Sequence, residues 1–124
     1  MADLLAAEHA RTLIHERVVE FFEGYDVLAL PTTQVAPFPV DVEYPTEIEG
    51  VQMSDYLEWM SSCCVITVTG CPSISLPAGF TQTGLPVGLQ LVTAPGRDLE
   101  LLEIAAAVEA ATGHGRARPP DPPA

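Results

Sequence analysis

The sequence predicts an α/β fold in which a mixed β-sheet is flanked by helices, and three observations lead to this prediction. Apolar side chains recur at helical spacing over residues 4–23 and again over residues 98–112, which predicts two amphipathic helices. Between them, no charged residue occurs from Trp59 to Gly96. Glycines and prolines divide this uncharged run into short apolar segments, which are typical of buried strands.

Both predicted helices have an apolar stripe and a recognisable residue at each end. Asp3 is the expected N-cap of the first helix and Gly24 its expected stop. Asp98 and Gly113 are expected to do the same for the second helix. The stripes consist of Ile14, Val18, Phe21 and Phe22 in the first helix and Leu101, Ile104, Ala105 and Val108 in the second.

Four segments are predicted to be strands, namely residues 27–30, 65–68, 73–76 and 87–92. The first segment shows no alternation, so we expect it to be covered on both faces. Thr83 and Gly84 form a turn signal, which predicts that the last two strands pair as a hairpin. A short helix is expected to open at Ser54 or Asp55. Residues 34–50, rich in proline and acids, are expected to form an irregular solvated excursion.

The charge of the chain excludes several classes of function. The 124 residues contain 5 cations, all arginine, against 17 acids, which gives a formal net charge of −12. A nucleic-acid binder needs cations to displace phosphate counterions, and an anionic membrane surface would repel this chain. No secretory signal opens the chain, and no window of ~20 unbroken apolar residues occurs. We therefore expect a cytoplasmic protein with neither a nucleic-acid nor a membrane partner.

Cysteines and histidines do not form a metal-binding pattern. Cys63, Cys64 and Cys71 are odd in number, and no nearby histidine or second cysteine pair completes a four-ligand set. His9 and His15 lie about 240° apart around a helix, so they cannot share an ion on one face. The cysteines are interpreted as small buried thiols of a reducing compartment. No metal and no cofactor are expected.

Several ordered motifs resemble the C-terminal part of the amidase signature family. Residues 69–80, T-G-C-P-S-I-S-L-P-A-G-F, and residues 84–91, G-L-P-V-G-L-Q-L, are similar to its two consecutive motifs. Those motifs are G-x-P-[AS]-[IL]-S-[VL]-P-x-G and G-L-P-[VI]-G-[VL]-Q. Residues 25–32, Y-D-V-L-A-L-P-T, look like a family strand that ends in Pro-Thr, and residues 56–60 look like a segment of its bacterial amidases. The resemblance spans residues 10–120.

The resemblance implies an amidase that hydrolyses carboxamide C–N bonds to a carboxylate and ammonia or an amine. In this family a Ser–Ser–Lys triad carries the reaction, and a chain without lysine cannot supply its base. No catalytic residue is therefore assigned. Ser73 and Ser75 lack a nucleophile-elbow motif and are interpreted as strand residues. Alone, the chain is expected to be inactive.

The resemblance also implies that residues 1–118 are an incomplete, C-terminal segment of an amidase domain, followed by a Pro-rich tail at 119–124. A truncated or split gene, a wrongly assigned start and a fragment are the explanations considered. The expected partners are the N-terminal part of the amidase, in cis or in trans, or a second copy of the chain. A small amide substrate is expected only in the complete enzyme. The alternatives are an independent non-catalytic binding module and one subunit of a split amidase.

Trp59 and Met60 are the candidate substrate-binding residues. In the glutamine-dependent amidotransferases whose hydrolytic chain belongs to this family, an aspartate near the position of Met60 holds the glutamine amine, and an asparagine is usual at the position of Thr67. Here the neighbourhood of Met60 is apolar and cannot pair with an ammonium group. We therefore expect a general carboxamide or an aryl or acyl amide as substrate, with Trp59 and Met60 on the acyl side or, alternatively, in the core.

Overall fold

A computed structural model describes residues 1–118, in which three helices and five short strands alternate along the chain. The elements are α1 (Ala2–Phe21), β1 (Leu28–Pro31), β2 (Glu47–Ile48), β3 (Val51–Gln52), α2 (Ser61–Thr69), β4 (Ser73–Phe80), β5 (Pro86–Val92), α3 (Asp98–Thr112) and a 3-10 turn η1 (His114–Arg116). The predicted α/β class is confirmed. The predicted Pro-rich tail, residues 119–124, lies outside the described residues.

The main sheet has three strands in the order β1-β5-β4, so β5 is central. Both of its ladders are antiparallel. β4 and β5 form the predicted hairpin, which is closed by the turn around Gly84 and by a hydrogen bond from the Thr81 nitrogen to the Leu85 oxygen at 2.8 Å. β2 and β3 form a separate two-residue hairpin at the end of the otherwise irregular 34–50 excursion.

The two faces of the main sheet pack against different helices. On one face, Leu76 and Leu91 contact Leu101 and Ala105 of α3. On the other face, Val92 packs with Phe22 at the end of α1 and with Ile66 of α2. Leu91 is 2% exposed and Val92 is 1% exposed, so neighbouring residues of the central strand anchor two separate cores. The sheet therefore lies between α3 and the α1–α2 pair.

The strand predicted over residues 65–68 is wrong, because these residues belong to α2. Val65 and Ile66 have high β propensity, but packing against α1 decides the conformation. The helix ends at Gly70, whose φ of 71° is left-handed. Beyond it, Nδ1 of His15 in α1 lies 2.9 Å from the carbonyl oxygen of Thr69, which joins the two helices where α2 ends.

The helix predicted to open at Ser54 or Asp55 is also wrong. The Asp55 carboxylate accepts the N–H groups of Leu57 and Glu58 at 2.8 Å and 3.0 Å, which forms a turn instead of a continuing helix. β1 differs from its prediction too, since Ala29 is exposed while its neighbours are half-buried. α3 packs on β4 and β5, so the outer face of β1 stays uncovered.

The ends of the long helices fall within a few residues of their predicted positions. Met1 is the N-cap of α1, so Asp3 lies in its first turn, and the helix ends at Phe22 before Gly24 is reached. Arg97 takes the N-cap position of α3 that was predicted for Asp98. The predicted stop at Gly113 is confirmed, with a left-handed φ of 68°. No helix in the described part of the chain is long and apolar enough to cross a membrane.

Replacing the residue that ends α2 tests the corrected assignment. Gly70→Ala is expected to lower the free energy of unfolding by about 1 kcal/mol or more, because an L-residue is strained at a left-handed φ. Gly24→Ala is the matched control, since Gly24 has no positive φ and its added methyl meets only the Phe21 oxygen at 3.9 Å. Urea unfolding of both variants measures the difference. Equal stabilities would contradict the helix end at Gly70.

Candidate functional site

A cavity of about 900 Å³ lies on the part of the sheet that α1 and α2 leave uncovered. Its floor is formed by residues at the end of β1, along β4 and at the start of β5. The loop over residues 32–38 and the turn η1 provide its sides. All of these segments meet only when the three strands pair, so the cavity is a product of the sheet register.

Two hydroxyl groups meet on the cavity floor across the central strand. Thr32 follows β1 and Ser75 lies in β4, and their side-chain oxygens are 2.8 Å apart. Gly88 of β5 lies between them and provides the space. A Cβ atom there would be 2.6 Å from Oγ1 of Thr32 and 3.1 Å from Oγ of Ser75. The close approach therefore requires glycine at position 88.

The backbone of Thr32 is held on both sides. Its N–H donates to the carbonyl oxygen of Gly88 at 3.1 Å, which extends the β1–β5 ladder by one residue. Its carbonyl oxygen accepts a hydrogen bond from the Cys63 thiol at 3.1 Å, from the first turn of α2. Because strand and helix both fix the backbone, the Thr32 hydroxyl is presented to the cavity in a set position.

An aromatic cluster centred on Trp59 forms one side of the cavity. Phe38 and Tyr56 pack edge-to-face on its ring, with centroid distances of 5.6 Å and 6.0 Å. The indole Nε1 of Trp59 is buried and has no hydrogen-bond partner within the described residues. Of the two candidate substrate-binding residues, the structure thus places Trp59 in the lining. Met60 is instead the half-buried N-cap residue of α2, outside that lining.

The turn before Trp59 is tied together by Glu58. The Ser54 hydroxyl and the Ser54 N–H both donate to one carboxylate oxygen of Glu58. These two bonds, the side-chain bond foremost, lower the pKa of Glu58 from its ordinary value. The charge of the neighbouring Asp55 acts in the opposite direction. The ionised form of Glu58 therefore supports the turn that presents Trp59.

The cavity differs in charge from the rest of this acidic chain. Among the described residues that line it, none is an aspartate or a glutamate, and the ionisable groups are the basic residues His114 and Arg118. His114 lies against Gly79 of β4, where a Cβ atom would be 3.5 Å from the imidazole ring. The cavity wall is otherwise composed mainly of apolar and neutral polar residues. It therefore offers no anionic group to a cationic ligand.

The arrangement contains no recognisable nucleophile and base. The hydroxyl of Ser75 bonds to that of Thr32, and neither group is joined to a histidine or a carboxylate within residues 1–118. In the same range no three His, Cys, Asp or Glu side chains come together in a way that could hold a metal ion. The cavity can therefore bind and orient a ligand, whereas bond cleavage needs groups that this chain does not bring to it.

Sequence reasoning does not find the Thr32–Ser75 pair. From the sequence, Ser75 is a strand residue and Thr32 is only the last residue of a strand motif. The signal that could have indicated the pair is Gly88, since a glycine inside an apolar strand marks a close approach of neighbouring groups. Which groups approach it depends on strand register, and that register is known only from the structure.

Comparison with known proteins places this architecture. Residues 1–102 match the Amidase family. The matching chain of the glutamyl-tRNA(Gln) amidotransferase of Dehalococcoides mccartyi is 39% identical over 116 residues, which are 91% of this chain and 22% of that protein. Fatty acid amide hydrolase of Medicago truncatula is 34% identical over 119 residues, which are 95% of this chain and 19% of that protein. The solved structure of a bacterial aryl acylamidase aligns with a TM-score of 0.78 at 26% identity, over 97% of this chain and 26% of that one.

The sheet with its flanking helices is thus a portion of the fold found in amidase signature enzymes. The family match extends over far more than half of the 124 residues, and the chain belongs to the amidase family. The resemblance noted in the sequence is confirmed. The chain spans about a fifth of the length of the curated relatives it matches, with 22% and 19% for the two named above.

The turn at Glu58 gives a pH prediction with a defined sign. Ser54→Ala removes the largest cause of the lowered pKa, so the pKa of Glu58 is expected to rise toward its ordinary value. Asp55→Asn removes the opposing charge and is expected to lower the pKa of Glu58 further. Because the folded-state pKa is lowered, the contribution of Glu58 to stability is present above its ordinary pKa and is lost as the pH falls. NMR titration of the side-chain carboxyl carbon measures both shifts, and two shifts of the same sign would contradict this account.

Proposed function

We propose that this chain forms the C-terminal wall of the substrate site in an amidase that hydrolyses carboxamide C–N bonds to a carboxylate and ammonia or an amine. The observation that carries the proposal is the cavity on the uncovered sheet face. Thr32, Ser75 and Gly88 meet there within the part of the chain that matches the amidase family. Residues 1–118 are then one incomplete segment of an amidase domain. The nucleophile and base come from outside the 124 residues, since these contain no lysine.

The chemistry of the cavity favours a neutral amide substrate. The relatives include both an acylamidase and a glutamyl-tRNA(Gln) amidotransferase, so family membership alone does not select a substrate. A glutamine-type substrate carries an α-ammonium group, which needs an anionic partner, and no aspartate or glutamate lines the described cavity. The aromatic side formed with Phe38 and Trp59 suits an aryl or acyl group. We assign Trp59 to that acyl side, with Met60 supporting it from the start of α2.

The uncovered surfaces support an N-terminal amidase part as the partner. No residue of α1 is buried although the helix carries several large apolar side chains, and Leu4 and Leu5 are 61% and 65% exposed. β1 and β4 are the outer strands of the sheet. An unpaired strand edge beside exposed apolar side chains is a surface that another chain segment covers. The remaining length of the relatives supplies such a segment, in cis or in trans.

We propose the cytoplasm as the compartment of this protein. All three cysteines are free, and Cys64 is exposed. Free, exposed thiols persist in a reducing compartment, whereas an oxidising one favours disulfides.

Activity measurements test the proposed function directly. The purified 124-residue chain is expected to hydrolyse benzamide and acetanilide at the background rate, because no nucleophile and base meet in it. A chimera, in which this chain replaces the corresponding C-terminal segment of a full-length amidase relative, is expected to turn over amides. Since enzymes accelerate reactions by a million-fold or more, at least about 100-fold above the lone chain is expected even from an imperfect junction.

The matched control is the same chimera with the relative's catalytic lysine replaced by alanine, which is expected to be inactive. A folded chimera without turnover would favour an independent binding module over an amidase wall. Activity of the lone chain that scales with its concentration and survives repurification would overturn the assignment of catalysis to another segment. Activity restored by mixing two separate chains would favour a split amidase.

Thermal unfolding tests the uncovered surfaces. Adding the N-terminal part of a relative in trans is expected to raise the Tm of this chain by about 4 °C or more, because a partner that binds only the folded state stabilises it. Without a partner, Tm is expected to rise with chain concentration, and more so at high salt, where repulsion by the net charge of −12 is screened. Calorimetry measures both effects. A sharp transition above ~60 °C that does not depend on concentration would show that the chain needs no partner.

A further inference from the structure

The Thr32–Ser75 hydroxyl pair has hydrogen-bonding capacity that the protein leaves unused. Each hydroxyl can donate one hydrogen and can accept at its lone pairs. The single bond between the two oxygens, 2.8 Å long, consumes one O–H group and one lone pair, whichever residue donates. One O–H donor and the remaining lone pairs are therefore left side by side. No further hydrogen bond to either hydroxyl occurs within residues 1–118.

This unused capacity faces the cavity. Both Thr32 and Ser75 belong to the cavity lining, and Ser75 is exposed while Thr32 is half-buried. The neighbouring lining residues on the same face, Gly88 and Pro77, carry no side-chain polar atom that could satisfy the pair. A ligand in the cavity is thus the group that can complete its hydrogen bonds. The protein holds the backbone of Thr32 in place for that purpose through Gly88 and Cys63.

The spare groups match one functional class better than its relatives. A carboxamide presents a carbonyl oxygen that accepts and an N–H that donates, attached to the same carbon. It can accept the spare O–H of the pair and donate to a neighbouring lone pair at once. A ketone of the same shape satisfies only the first of these bonds. A hydrocarbon satisfies neither and leaves the hydroxyls unpaired, which is unfavourable once water is excluded.

We propose that the Thr32–Ser75 pair is a carboxamide-binding subsite, in which the pair donates to the carbonyl oxygen of the substrate and accepts from its N–H. Gly88 is the residue that makes this subsite possible. The inference rests on the proposed function and deepens it, since it names the residues that select an amide. These are binding residues, and no bond-breaking step is assigned to them.

Ligand binding to the full 124-residue chain tests the subsite without any catalytic step. Benzamide and acetophenone differ only in an NH₂ against a CH₃ group, and NMR titration gives a dissociation constant for each. The ratio of the two constants in each variant isolates the contribution of the pair. In the unmodified chain, benzamide is expected to bind about threefold to tenfold more tightly, the worth of one additional net hydrogen bond.

Four variants separate the pair from its surroundings. Ser75→Ala and Thr32→Val each remove one hydroxyl, the latter with the same shape, and are expected to abolish the preference for benzamide. Thr32→Ser retains a hydroxyl and is expected to retain the preference. Ser73→Ala is the matched control, because it removes a hydroxyl from the same strand outside the cavity lining. The amide spectrum of each variant establishes that it is folded.

Each result decides the proposal. A preference in the unmodified chain that both Ser75→Ala and Thr32→Val lose, and that Ser73→Ala keeps, supports it. No binding of benzamide, equal binding of the two ligands, or a preference that survives both hydroxyl deletions overturns it. Failure of the proposed function is distinguishable. An inactive chimera with an intact benzamide preference would reject the amidase wall and keep the subsite, whereas an active chimera without the preference would reject the subsite alone.

Discussion

The pairing of β5 with strands on both sides is the constraint on which the other contacts depend. Leu91 and Val92 point to opposite faces of this central strand, and each is almost completely buried in a different core. Shifting β5 by one residue would exchange their faces, because side chains alternate along a strand. The same register places Gly88 beside Thr32, which is bonded to it through the backbone. One ladder thus sets both the cores and the cavity floor.

The division of labour on the second sheet face explains where a ligand can bind. Toward Val92 this face is covered by Phe22 and Ile66, which exclude water and leave no room. Toward Gly88 the helices do not reach, and the face carries hydroxyls instead of apolar side chains. Packing and binding therefore occupy successive segments of the same strands. A chain with few cations also places its acids away from this opening, which keeps the cavity wall neutral or basic.

The elements whose signals are local could be predicted from the sequence. α3 and the β4–β5 hairpin have their own stop and turn residues, Gly113 and Gly84, and both predictions are confirmed. The prediction for α2 is wrong, because β-branched residues such as Ile66 favour a strand, and only contacts with α1 favour the helix. The site divides in the same way. Trp59 could be proposed from its neighbourhood, whereas Thr32 and Ser75 are 43 residues apart and meet only through register.

The placement of Thr32 also sets the order in which this cavity can form during folding. β4 and β5 are joined by a short turn, so their pairing closes a small loop and costs little chain entropy. β1 must instead find β5 across the whole stretch that contains the excursion and α2, and such non-local pairings form slowly. Half of the hydroxyl pair arrives with β1. A species that has folded only its hairpin therefore has the strand and glycine of the cavity floor but not the complete floor, and ligand binding is reserved for chains whose sheet has closed.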